Sequence, residues 1–169
     1  EAGVSTRTPW HHDQSYYPVN GKQVVSFWIP LDPIDRESSL QFVKGSHAWG
    51  RKFIPRKFED KRHYGTNKES LEYDFPGQPN FRIEEEVRNR LHSEFENLEF
   101  DKSWEVIQWA CAPGDIVAFH GWTLHGGSPS PSSPRRVVSL RWFGDDCVFT
   151  QRPWICSPPY LADLKDGDP

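Results

Sequence analysis

Residues 22–31, KQVVSFWIPL, interleave β-branched and aromatic residues with polar ones, which predicts a strand. SLQFVKGSH (39–47) predicts a second strand, closed by a turn at Gly45-Ser46. WEVIQWACA (104–112) has the same character, Pro113-Gly114-Asp115 supplies a turn, and IVAFHGWTLHGG (116–127) reads as an apolar strand. RRVVSLRWF (135–143) is a further strand, set off by SPSPSSP (128–134), whose prolines cannot join a ladder. Residues 51–82 are charged, aperiodic and broken by Pro and Gly, a surface excursion. Beyond them Ile83, Val87, Leu91, Phe95 and Leu98 recur at helical spacing and predict one apolar helical face. Short strands joined by Pro/Gly turns imply a mainly β sandwich or small barrel. One domain over residues 1–169 is expected, with 51–103 inserted between core strands and lying over one mouth.

Composition narrows the function classes. A chain of 169 residues holds one ordinary domain. A net charge of -4 provides no basic stripe, so nucleic acid is not an expected partner. No apolar run approaches the ~20 residues of a membrane span and the start carries no signal-peptide pattern, so the expectation is a cytoplasmic protein without a membrane partner. Cys111, Cys147 and Cys156 are an odd number and are read as reduced thiols. The chain opens almost at once on its most chemical segment, so an N-terminal portion of the domain is expected to be absent.

That segment is TPWHHDQSYYP (8–18), two histidines and a carboxylate among aromatic rings. A solvated turn, a metal site and a catalytic acid–base pair are all compatible with it. In an extended chain, side chains at i and i+2 share a face, so His11 and Asp13 converge while His12 points away. One imidazole and one carboxylate are two thirds of the 2-His-1-carboxylate triad that holds non-haem Fe(II) and leaves positions open. The third ligand should be a distant histidine. FHGWTLHGGS offers His120 and His125; the glycines after His125 permit close approach, so His125 is preferred and His120 is expected to pack beneath the site or to orient a ligand from behind. A lone His-x-Asp is a weak signal; His47 and His63 read as structural or solvent-facing, and His92 lies in the expected helix with no partner in view. No nucleophile elbow accompanies the histidines, and neither Cys pairs nor an HExxH helix supports zinc.

Ten residues after His125 stands Arg135. An enzyme holding an oxo-dicarboxylate at iron needs a fixed cation for the far carboxylate, and a guanidinium serves bidentately. Alternation puts Arg135, Val137, Ser139 and Arg141 on one face, with Ser139 as a second donor, and leaves Arg136, Leu140 and Trp142 on the other. The rival reading makes these arginines edge-strand charges that block aggregation.

PWHHDQSYYP, FWIPLD, SLQFVKGSH, PGDIVAFHGWTLHGGS and PRRVVSLRWFGDD occur in that order over most of residues 8–146. Together they resemble the phytanoyl-CoA dioxygenase family of Fe(II)/2-oxoglutarate oxygenases. The resemblance implies a double-stranded β-helix (jelly roll, cupin-like). It also implies Fe(II) on His11, Asp13 and His125, 2-oxoglutarate clamped by Arg135, Trp28 near that cosubstrate, and ascorbate as a stimulant. The expected activity is hydroxylation of a small-molecule C–H bond with release of succinate and CO2. A related halogenase would leave the position of Asp13 vacant for halide, and a non-catalytic metal-binding module would have no use for Arg135. Family members carry an N-terminal portion that completes the barrel, and 51–103, which matches no motif, is where substrate specificity is expected to reside.

Overall fold

The computed structural model describes residues 7–56, 58, 94–127, 135–152, 154, 156 and 164–169. Among them the chain forms eight strands and three short 3-10 turns. The strands are β1 (Val19–Asn20), β2 (Val24–Pro30), β3 (Leu40–Val43), β4 (Val106–Ile107), β5 (Val117–His120), β6 (His125–Gly127), β7 (Val137–Phe143) and β8 (Val148–Phe149). All pair antiparallel, in one sheet of order β5-β2-β7, one of order β4-β3-β6, and the pair β1-β8.

The central strand β2 shows why the alternating pattern mattered. Val24, Ser26, Trp28 and Pro30 are buried while the residues between them are half-exposed. Its register with β7 runs unbroken from Val24↔Phe143 to Pro30↔Val137, so no bulge disturbs side-chain parity across that pairing. Val138, Leu140 and Trp142 accordingly lie on the outer face and are exposed. The core divides into clusters. Val43, Phe53, Leu98 and Leu124 pack with Trp10, Trp49 and Trp104, while Trp28, Ile34 and Cys111 pack with Leu40, Val117, Phe119 and Val137.

Four expectations change in detail. The 116–127 segment is two strands rather than one: β5 belongs to one sheet and β6 to the other, and residues 121–124 turn between them. The turn depends on Gly121, where a Cβ would sit 2.6 Å from Val24 Cγ1. The 104–112 segment pairs only at Val106–Ile107 and again at the Ile34↔Cys111 bridge, and the 39–47 strand ends at Val43. Both ends of the 51–103 segment enter the core: Phe53 bridges Glu96, and Phe53, Phe95 and Leu98 are buried. Ile83, Val87 and Leu91 of the expected helical face, and the 128–134 loop, fall outside the described residues. The three cysteines carry free thiols.

Candidate active site

His11 and His125 are joined by backbone before their side chains meet. His11 donates its N–H to the His125 carbonyl at 2.8 Å and accepts the His125 N–H at 3.0 Å, the reciprocal exchange of an antiparallel hydrogen-bonded pair. Their rings lie on one side, with centroids 4.2 Å apart. On its other edge β6 pairs with β3, where Phe42 opposes His125 and stacks on its ring. The chain then turns. Asp13 has helical backbone angles and begins the 3-10 turn Gln14–Tyr16, which swings its carboxylate back beneath both imidazoles. Convergence of His11 and Asp13 therefore comes from a bridge followed by a turn, not from a continuous extended strand.

Ligand-type atoms of His11, Asp13 and His125, all three buried, lie within 4.8 Å of one another. Asp13 Oδ1 is 3.5 Å from Nε2 of His11 and 3.5 Å from Nε2 of His125. Each imidazole is anchored through Nδ1 to a main-chain carbonyl, His11 to Pro9 at 2.8 Å and His125 to Thr123 at 2.9 Å. A carbonyl only accepts, so Nδ1 carries the proton and the Nε2 lone pairs face the centre, the arrangement that orients metal-ligating histidines. Burial, and then the neighbouring His11, push His125 down to about 4, which keeps it neutral and available as a ligand. Burial pushes the Asp13 carboxyl up, but His11, His125 and Arg141 pull harder and hold it well below the usual carboxylate range. Two imidazole nitrogens and one ionised oxygen, converging and shielded, fit a divalent cation of the Fe(II) type.

His12 points the opposite way. It is 1% exposed, its ring packs against Phe53 and Trp122, and among the described residues neither ring nitrogen has a hydrogen-bond partner. His120 lies away from the centre: Nε2 bonds the Lys22 carbonyl and Nδ1 accepts the Trp122 N–H, so it braces the turn between β5 and β6 and orients no member of the cluster.

A cavity of about 280 Å³ opens on the cluster, lined among others by Tyr16, Tyr17, Trp28, Ser139 and Arg141. Trp28 and Ser139 face each other across the β2–β7 pair, as do Ser26 and Arg141. Trp28 and Ser139 thus lie with the His-Asp-His cluster. Arg135 does not line this cavity; its guanidinium donates to the carbonyl of Ser38, the last residue of the 3-10 turn that precedes β3. Arg136 is exposed and pairs with Asp32. Two residues at the site, Ser26 and Arg141, had no assigned role in the sequence. Ser26 Oγ donates to Asp13 Oδ2 at 2.6 Å, and Arg141 Nε lies 2.8 Å from the same oxygen, an ion contact rather than an aligned hydrogen bond. The available signal was a serine in the buried phase of a strand between Val24 and Trp28.

Larger concavities of about 530 and 400 Å³ lie elsewhere and contain none of the three cluster residues. Among the described residues no helix is long and apolar enough to cross a membrane.

Solved structures with this arrangement of strands share little sequence with the chain. The epimerase SnoN in complex with Fe3+, alpha ketoglutarate and nogalamycin RO matches with a TM-score of 0.58 and 20% identity, over 100% of this chain and 56% of that one. The carbocyclase SnoK from nogalamycin biosynthesis matches at 0.57 and 20%, over 97% and 52%. EvdO2 from Micromonospora carbonacea var. aurantiaca complexed with 2-oxoglutarate matches at 0.53 and 19%, over 96% and 50%. The chain thus spans about half the length of these structures, and the likeness identifies the fold as a jelly roll. No curated protein matches the sequence. The family model for phytanoyl-CoA dioxygenase (PhyH) matches residues 1–138, and the chain belongs to that family.

Proposed function

We propose that the chain carries the metal and cosubstrate site of a non-haem Fe(II)- and 2-oxoglutarate-dependent dioxygenase that hydroxylates a small-molecule C–H bond and releases succinate and CO2. The observation that carries this reading is the buried His11–Asp13–His125 cluster, with both imidazoles fixed through Nδ1. Those three residues would hold Fe(II), which when bound supplies the redox chemistry that couples oxidative decarboxylation of 2-oxoglutarate to C–H oxidation. The chain's own contribution is positional. Main-chain carbonyls fix the two histidines, an ionised Asp13 supplies the negative charge, and Tyr16, Trp28 and Phe119 wall the cavity with apolar surface that limits water. Ser139, in the cavity wall, is the proposed second donor to a cosubstrate carboxylate. Arg135, on the same face of the chain, is the proposed clamp for the distal carboxylate once it leaves the Ser38 carbonyl.

The reaction outcome has a second reading. SnoN and SnoK are described as an epimerase and a carbocyclase, so C–H cleavage followed by inversion or ring closure is the alternative to hydroxylation. A halogenase is disfavoured because Asp13 occupies the carboxylate position. A metal module without catalysis is tested directly. Under anaerobic conditions, Fe(II) plus 2-oxoglutarate should give the visible charge-transfer band of a chelated oxo-acid. Admission of oxygen should then yield succinate. His11→Ala and Asp13→Ala should lose both signals, while His12→Ala should keep the band. Loss of iron in His12→Ala equal to that in His11→Ala would falsify the ligand assignment, and a band without succinate would leave only the binding module.

A further inference from the structure

The two oxygens of Asp13 have different surroundings. Oδ1 faces both imidazoles, whereas Oδ2 accepts the Ser26 hydroxyl at 2.6 Å and lies 2.8 Å from Arg141 Nε in an ion contact. Ser26 and Arg141 are register partners across β2 and β7, so alternation presents both to one face and to one oxygen. Neither side chain is loosely held. Ser26 is 0% exposed, and the Arg141 guanidinium also donates to Ser139 Oγ and stands 6.0 Å from the centre of the Tyr17 ring.

We infer that Ser26 and Arg141 form a cross-strand clamp that occupies Asp13 Oδ2 and restricts Asp13 to binding metal through Oδ1 alone. A carboxylate beside a dication binds through one oxygen or two, and the second mode uses a coordination position. With two histidines and one carboxylate oxygen engaged, the remaining positions stay available for a chelating oxo-acid and oxygen. Ser26 and Arg141 act through Asp13 and are positioning residues. The inference rests on the metal-centre reading above.

Cobalt(II) is the probe, because its visible spectrum reports coordination number and geometry without turnover. Ser26→Ala should weaken cobalt binding by roughly 10-fold or more, the usual scale for losing a partner that orients a ligand. It should also change the visible spectrum. Arg141→Leu frees the same oxygen but removes a cation that repels the metal. The two effects oppose each other in affinity, so the spectrum decides, and it should move in the same sense as for Ser26→Ala. Arg141→Lys, which keeps the charge, should retain more of the wild-type spectrum. Arg141 is partly exposed, so its variants provide the readout if Ser26→Ala does not fold. Either variant, folded and showing the wild-type cobalt spectrum, overturns the clamp. Wild-type cobalt binding by His11→Ala overturns the metal centre instead, a distinct failure.

Discussion

Arg135 and Arg136 are neighbours with opposite surroundings, and their variants separate a cosubstrate clamp from a surface charge. Arg136 is solvent-exposed and paired with Asp32, a contact worth little to stability. Arg135 is half-buried, shares the phase of Ser139 and Arg141, and donates to a main-chain carbonyl that a carboxylate could replace. A shielded, charge-assisted pair typically costs about 2–5 kcal/mol when one partner is truncated, so Arg135→Ala should raise the 2-oxoglutarate requirement by roughly two orders of magnitude. Arg136→Ala should change it little, and Arg135→Lys should rescue only in part because an ammonium lacks the planar fork. The measurement is the 2-oxoglutarate dependence of the iron charge-transfer band, and a larger loss at Arg136 reverses the assignment. At this scale the sequence was informative wherever a residue type carries its own chemistry. His11, Asp13 and His125 could be singled out by residue type and motif, and the structure places them in one cluster, although Asp13 reaches it through a 3-10 turn rather than by strand parity. Ser26 was not legible as a donor to Asp13, because that role depends on which strand β2 pairs with and in what register.

The elements show a different limit. Periodicity located β2 to within two residues because burial alternates over its seven positions, and β7 was located as closely by its β-branched and aromatic run after a proline-rich loop. The 116–127 segment misled because an apolar run does not record a change of sheet; the turn at 121–124 is set by close packing, not by turn residues alone. Gly121 is the point at which this becomes testable. A Cβ there would stand 2.6 Å from Val24 Cγ1 and 3.0 Å from Gln14 Oε1, and Gly121 also donates to the Val24 carbonyl and accepts from Gln14 N–H. Gly121→Ala must push β5 away from β2 or displace the turn that leads into His125. Overpacking of this kind costs about 1–3 kcal/mol, so the melting temperature should fall by several degrees. Cobalt affinity should fall with it, since His125 sits four residues on. A melting temperature within a degree of wild type would show that the turn yields without strain.

For the whole molecule, the buried histidines tie folding to pH. Burial, followed by the charges of His125 and His11, pushes His12 down to about 3; Asp13 pulls upward and Arg51 adds to the depression. His125 stands at about 4 for similar reasons. Both lie below the ordinary value near 6.5, so between about pH 4 and 6.5 the unfolded chain binds more protons than the folded one. The stability these neutral histidines contribute is present above about pH 6.5 and is lost as pH falls toward 4. Asp13, held low, adds its own loss only further down, as pH drops below the usual carboxylate range. For the chelator-treated, metal-free chain, the urea midpoint should therefore fall steadily from pH 7 to 4.5. His12→Leu fills much of the same volume among Phe53 and Trp122 and removes one titrating group whose nitrogens have no partner among the described residues. That variant should match or exceed wild type at pH 7 and show a shallower decline on acidification. Excess divalent metal should raise the midpoint most at pH 7 and progressively less toward pH 5, because protons and metal compete for the same imidazole nitrogens. A wild-type midpoint that stays flat or rises from pH 7 to 4.5 would mean that His12 and His125 are not buried in their neutral forms.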